Sequence, residues 1–311
     1  MKKILVVGYS QSGQLHEVIA RFIEPLRSAA HVEVHEEILR PQRPFPFPWS
    51  FPAFLDAFPE SVRLEPRALQ PLSLGPEEDF DLIILAYQVW FLSPSQPITA
   101  FLQSAEAKRL LNGKPVITVI ACRNMWLSAQ ETTKRLIAEA GGRLCDNVVL
   151  TDRGHPLATF ITTPRWLLTG RRDGFLGLPP AGVNPSAIVD CARFGAALIP
   201  ALAEDREKTG EPLLGGLRAA TVEARLIMSE RAGQRAFRVW SWIASRFGAA
   251  GQKRRQPVLF AFALYLIALI VTVVPLSLLL QTLLRPLLAS RLAHLKAYYE
   301  QPSGSQDYRL N

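Results

Sequence analysis

The hydrophobic pattern opens with an unbroken apolar strand, KILVVG at residues 3–8, that runs into the turn YSQSGQ. Beyond it Leu15, Val18, Ile19, Phe22, Ile23 and Leu26 fall at helical spacing, so residues 15–26 are predicted to form a helix with one apolar stripe. Residues 31–38 alternate apolar and polar positions, as a strand near a sheet edge does. Residues 81–87 (DLIILAY) and 115–121 (PVITVIA) are continuous apolar runs, the mark of strands buried on both faces. Residues 144–150 make a weaker strand, and helices are expected at 97–111 and at 128–140, the latter closed by Gly141 and Gly142. Strands alternating with helices imply right-handed crossovers and a parallel sheet covered on both faces.

The later pattern is different. Residues 41–52, PQRPFPFPWSFP, alternate proline with Phe45, Phe47, Trp49 and Phe51, which predicts an extended path rather than a helix or central strand. Four aromatics there need cover, as the wall of an apolar pocket, as a subunit contact of a homodimer, or as a loop packed across the domain. Residues 160–180 are long for a connection and read as a lid or docking loop. Residues 184–204 read as a helix, with Asn184 as N-cap and Pro185 at its first position. Residues 219–247 are helical and bring Arg225, Arg231, Arg235, Arg238 and Arg246 beside Trp240 and Trp242, as a membrane-interface helix or a solvated surface helix would. From residue 256 to 284 there is no charge, and 258–280 exceed the roughly 20 apolar residues that span a bilayer core. Either the chain crosses once, or Pro275 kinks it and it re-enters from the side it left. The chain is thus expected to divide into an α/β domain at 1–205, a basic helical linker at 206–252 and a hydrophobic membrane-anchoring tail at 253–311.

Composition narrows the class. The formal charge of +8 gathers towards the C-terminal third, where it coincides with hydrophobicity, and this points to a membrane surface rather than to nucleic acid. Cys122, Cys145 and Cys191 are widely spaced, with no C-x-x-C pair and no zinc pattern, so reduced thiols and no metal site are expected. The first strand begins almost at the N-terminus, and no signal peptide is expected.

The turn between the first strand and helix carries the first chemistry. The leading N–H groups of a helix have no carbonyl partner, and the helix dipole adds partial positive charge, so this turn is an anion site. Ser10 and Ser12 add hydroxyls, Gly13 admits a close approach, and Gln11 and Gln14 complete it. Gly8 and Gly13 have Walker A spacing, but Gln14 and Leu15 stand where Lys and Ser/Thr are required, and G-x-G-x-x-G is absent. What remains, Ser10-Gln11-Ser12-Gly13-Gln14-Leu15, resembles the phosphate loop T/S-x-T/S-G-x-T of flavodoxins, with Leu15 lacking the last hydroxyl. That likeness implies FMN as cofactor and a flavodoxin-like five-stranded sheet of order 2-1-3-4-5, which binds its ligand at the carboxyl ends of the first and third strands. Strand ends supply the rest: Gln88, Val89, Trp90 and Phe91 after the third, and Arg123, Asn124, Met125 and Trp126 after the fourth. A flavin ring needs flat faces, which the tryptophans offer, and donors or a cation near N1 and O2, where Arg123 and the amides around Asn124 stand.

The segment DLIILAYQVWFLSPSQPITAFL resembles flavodoxin-like NAD(P)H:quinone reductases, with Gln88 where those enzymes usually carry proline. Over almost its full length the chain is similar to a narrower family, the flavodoxin-like proteins known as dialkylresorcinol condensing enzymes. The motifs YSQSGQL, PFPFPW, WFLSPS and RNMW and the hydrophobic C-terminus carry that resemblance. It implies an FMN-dependent aromatase that oxidises a dialkylcyclohexanedione to a dialkylresorcinol, beside a ketosynthase and an acyl carrier protein, on the cytoplasmic face of the inner membrane. Cys122 and Cys145 lack a histidine and oxyanion partner, so no covalent condensing mechanism is expected. Aromatisation removes a hydride and a proton, and His155, in TDRGHP, is the candidate base. A membrane-tethered electron carrier and a quinone reductase remain the alternatives.

Overall fold

The computed structural model describes residues 1–152, 154–272, 276 and 285–310. Its strands and helices follow in the order β1 (Lys2–Gly8), α1 (Gln14–Arg27), β2 (Val32–Ile38), α2 (Phe51–Asp56), α3 (Phe58–Arg63), β3 (Leu82–Tyr87), β4 (Val89–Trp90), β5 (Ser93–Pro94), α4 (Gln96–Leu102), α5 (Ala105–Leu111), β6 (Pro115–Cys122), α6 (Leu127–Glu139) and β7 (Arg143–Thr151). After the sheet come α7 (Pro156–Thr169), α8 (Pro185–Val189), α9 (Ala192–Ala203), α10 (Ala224–Arg246), α11 (Gln256–Val271) and α12 (Arg285–Glu300).

Five strands form one parallel sheet in the order β2-β1-β3-β6-β7, the flavodoxin-like order expected. Period-two alternation splits β1 between two cores: Ile4 and Val6 pack under α1 and α9, whereas Leu5 and Val7 pack with Phe101, Leu110 and Leu136 on the other face. Helix α9 lies so close to α1 that a Cβ on Gly195 would overlap the Phe22 carbonyl oxygen.

Four predicted elements differ in detail. The helix expected at 97–111 is two, because Ser104 restarts it as the cap of α5, accepting from Ala107 N at 3.1 Å. The helix expected at 184–204 is α8 and α9, broken at Asp190 and Cys191. The proline stretch ends in α2, since Pro52 occupies a first-turn position that needs no N–H donor. Residues 160–180 are not a plain loop, for α7 continues through Pro164 to Thr169.

Contacts cross both boundaries of the expected three-part division. Glu300, at the end of α12, accepts from Val222 N at 3.1 Å. Ser303, 2% exposed, donates to Asp146 Oδ1 and accepts from Asn147 N, both at 2.7 Å. Ala219 O accepts from Val149 N at 2.8 Å, so the late chain pairs with the outer edge of β7 and covers it. At the other root of the tail, Arg255 is fully buried between Asp56 and Glu60 rather than facing a membrane. Half of α11 also docks: Leu259, Phe262 and Ala263 are buried, with the Phe262 ring stacked 3.8 Å from Phe58.

Ser303→Ala removes a donor from a buried carboxylate and an acceptor from a buried N–H. We expect a loss of about 2–3 kcal/mol in urea unfolding of the full chain. A loss below about 0.5 kcal/mol would show that the C-terminal segment is not docked.

Candidate functional site

The anion turn follows directly from the end of β1. Gly13 takes a left-handed φ of 87° and caps α1, its carbonyl accepting from His16 N and Glu17 N. The N–H groups of Ser12, Gly13, Gln14 and Leu15 have no acceptor among the described residues. The Ser10 hydroxyl is buried and also has no partner among them. Three predicted site residues build the frame rather than line it. Gln88 Oε1 accepts from Gln11 N at 3.0 Å and so ties the strand-three loop to the turn. Gln11 Nε2 reaches Phe45 O at 3.0 Å and Pro46 O at 2.6 Å, and Tyr9 donates to Gln11 Oε1. Gln14 is buried against the backbone of Val183, donating to its O at 3.2 Å and accepting from its N at 3.0 Å.

After β3 the chain forms a hairpin, β4 against β5, turned by Phe91 (φ 50°) and Leu92 (φ 61°). Two left-handed positions suit the right-handed twist of a two-residue hairpin, although glycine or asparagine usually fills them. This separates neighbours: Trp90 stays half-buried with Tyr9, Phe45 and Trp49, at ring distances of 6.0, 4.9 and 5.6 Å. Phe91 instead turns to Phe54 and Phe58, at 4.9 and 5.3 Å. Val89 packs partly buried beside them. Phe45 and Trp49 are therefore core, whereas Phe51 is exposed and touches Phe260.

The loop after β6 brings Arg123, Asn124 and Met125, all half-buried, to the same end of the sheet. Trp126 does not join them. It is 3% exposed, at the N-cap of α6, and packs in the core, so Trp90 alone of the two tryptophans reaches the site surface. The Arg123 guanidinium lies 3.9 Å over the Phe160 ring and donates through Nε to Thr159 Oγ1 at 2.9 Å. Burial lowers its pKa, and nearby Asp152 opposes that shift. His155 is exposed, at the N-cap of α7.

Helix α7 is the element that sequence reasoning missed. Thr159, Thr162, Thr163 and Trp166 share one face at helical spacing. One end of that face holds Arg123. At the other, a Cβ on Gly182 would come within 2.9 Å of both Trp166 Cζ3 and Gln14 Nε2. Between these contacts Thr162, 2% exposed, and Thr163 keep buried hydroxyls with no partner among the described residues. Ser10, Thr162 and Thr163 are thus three hydroxyls without a partner among the described residues, on the turn before α1 and on α7. Pro164, which hides the helix in the sequence, concealed the two threonines. A separate cleft of about 930 Å³ lies between α1 and the 172–189 stretch, lined by Glu17, Arg21, Arg172 and Asp152.

A second missed residue is Glu230 of α10. It is 1% exposed, and its Oε1 accepts from Ser128 N at 2.6 Å, capping α6 from outside, while Oε2 has no partner among the described residues. Burial pushes its pKa up to about 7, against the Ser128 and Leu127 donors that pull it down. Burial likewise raises the pKa of the Cys122 thiol, with Glu230 adding to the shift. Among the described residues there is no His/Cys/Asp/Glu group able to hold a metal ion.

No protein-family profile and no curated protein matches the chain. Several solved structures are similar at low identity. A flavoprotein in complex with FMN from Lactobacillus acidophilus NCFM aligns over 48% of this chain and 93% of its own, at 16% identity and a TM-score of 0.39. Flavodoxin 1 from Bacillus cereus covers 63% of this chain and 95% of its own, at 14% identity and a TM-score of 0.35. A flavodoxin from the domain Archaea covers 66% and 99%, at 11% identity and a TM-score of 0.35. Likeness at this level assigns no chemistry, and the cofactor rests on the chain's own residues.

Because the folded carboxyl of Glu230 titrates above its ordinary 4.5, its contribution to stability is fully present below that value and is lost as pH rises through about 7. Glu230→Gln keeps an acceptor for Ser128 N and abolishes the titration. The variant should gain on the wild type by roughly 2.5 kcal/mol between pH 5 and pH 8 in unfolding experiments. A pH-independent difference would mean that this carboxyl titrates normally.

Proposed function

We propose that this chain is an FMN-dependent oxidoreductase of lipophilic rings that aromatises a dialkylcyclohexanedione to a dialkylresorcinol. The observation that carries the cofactor is the set of orphaned donors: the Ser10, Thr162 and Thr163 hydroxyls and the free N–H groups at the start of α1. An anion at the helix start would pair with the free N–H groups there and with the Ser10 hydroxyl beside them. Gly13 gives the close approach, Gln11 and Gln88 hold the two loops in register, and Gln14 fixes α1 to the 183 strap. Trp90 would offer an aromatic face to a flavin, and Arg123, set by Thr159 and Phe160, would supply positive charge at the same end of the sheet. Bound FMN would supply two-electron chemistry, taking the hydride that the diketone ring gives up.

The ring's proton needs a separate acceptor, and His155, exposed at the start of α7, is the proposed one. The substrate class rests on the family resemblance and on the apolar tail, which would place the protein where alkyl chains dissolve, at the cytoplasmic face of the cytoplasmic membrane. A ketosynthase and an acyl carrier protein are the partners that this substrate implies.

Anaerobic mixing of the FMN-loaded protein with a 2,5-dialkylcyclohexane-1,3-dione should bleach the flavin and yield the resorcinol without a second protein. Bleaching only by a redox partner would favour a membrane-tethered electron carrier, and bleaching by NAD(P)H with turnover of quinone would favour a quinone reductase.

Two variants test the phosphate end. Ser12→Asp should abolish FMN binding, since a carboxylate among these donors repels the phosphate dianion; unchanged flavin content would remove the turn from the site. Thr162→Val should act with opposite signs. It removes an unsatisfied hydroxyl and stabilises the flavin-free protein by about 1 kcal/mol, yet weakens FMN binding roughly tenfold. Weakened folding without FMN together with unchanged affinity would exclude Thr162 from the phosphate site.

A further inference from the structure

The tail leaves the α/β domain and comes back to it. Its departure is pinned at Arg255, fully buried, with Nε 2.6 Å from Asp56 Oδ1 and Nη1 2.6 Å from Glu60 Oε1. Its return is pinned at Ser303, bonded to Asp146 of β7, and at Gly304 O, which accepts from Ala220 N at 3.0 Å. A chain held at both ends by one domain does not cross a bilayer an odd number of times. Two full crossings need about 40 apolar residues. The uncharged run, 256–284, has 29 (284 − 256 + 1).

Part of that run is already committed to protein. Over its first turns α11 buries Leu259, Phe262 and Ala263 against α3 and α10. Its other side exposes Phe260, Leu264, Ile267 and Val271, at helical spacing, with Leu264 69% exposed. Charge says what covers this stripe. From residue 231 to 299 the chain has no Asp or Glu and ten Lys or Arg. Arg246, Lys253 and Arg254 are exposed around the root of α11, and the Arg246 guanidinium lies 4.9 Å over the exposed Trp242 ring. An apolar stripe ringed by cations and an interfacial tryptophan matches an anionic lipid surface.

We propose that α11 is a monotopic membrane anchor: its exposed stripe seats in one leaflet of an anionic bilayer, while both ends of the tail stay with the α/β domain on the same face. The stripe from Phe260 to Val271 meets acyl chains, and the basic collar meets headgroups. Because α11 roots beside α3 and the hairpin Phe91, the sheet end with Trp90 is held close to the lipid surface. The inference does not depend on the cofactor.

The full chain, tagged at both ends, is produced in bacterial cells, and its membranes are prepared as spheroplasts and as inverted vesicles. Protease should remove both tags from inverted vesicles and neither from spheroplasts. The purified full chain should float with vesicles of phosphatidylcholine and phosphatidylglycerol at 3:1. Leu264→Asp with Ile267→Asp, on the exposed stripe, should lower that partitioning at least tenfold while leaving the unfolding transition in place. Tags on opposite sides would overturn the proposal in favour of a single span. A soluble dimer that does not float would overturn it as well, with a second copy covering the stripe. Undiminished flotation of the double variant would show that the stripe does not enter lipid.

Discussion

A parallel sheet must be covered on both faces, because its strands are joined by helices that pack there and its side chains are apolar on both sides. In this chain α1 and α9 take one face, and α4, α5 and α6 take the other. The carboxyl edge is left as the place where backbone donors, strand-end loops and a helix N-terminus meet without being consumed by the core. The site stands there for that reason, and the remaining segments are arranged around it: the aromatic stretch at 45–49 beside it, α7 across it, and α10 behind the loop that follows β6.

Two kinds of polar burial divide the work. Where groups are paired, as in Gln11 with Gln88, Gln14 with Val183, and Asp146 with Ser303, they fix the relative position of segments far apart in sequence. Where hydroxyls are buried and unpaired, as at Ser10, Thr162 and Thr163, the cost of desolvation is left standing until something binds. That difference separates side chains that tie segments together, those of Gln11, Gln14 and Gln88 among them, from hydroxyls left without a partner among the described residues.

The same contrast governs the apolar surface. Phe45, Trp49 and Phe262 look alike in a hydrophobicity profile to Phe260 and Leu264, yet the first three are enclosed by other rings and the last two are not. Arg255, one of three consecutive basic residues, is consumed by Asp56 and Glu60, while Lys253 and Arg254 remain at the surface. A run of charge or of apolar side chains does not say which of its members are enclosed by protein and which stay at the surface; that depends on what packs against them.

The sequence by itself determined the strands, their order and the anion turn, because these follow from local periodicity and from the unpaired donors of a helix start. It also placed the loops after β1, β3 and β6 at the carboxyl ends of their strands for the same reason. Tertiary structure alone decided how neighbours within those loops part company. Trp90 and Phe91 diverge because two left-handed residues turn a hairpin, and Trp126 sinks into the core because it caps α6. It alone brought Thr162, Thr163 and Glu230 to the sheet end, for their partners lie far along the chain and periodicity carries no information about such contacts. It alone closed the tail back onto β7, since a hydropathy profile reports the length of an apolar run and not where its far end is held.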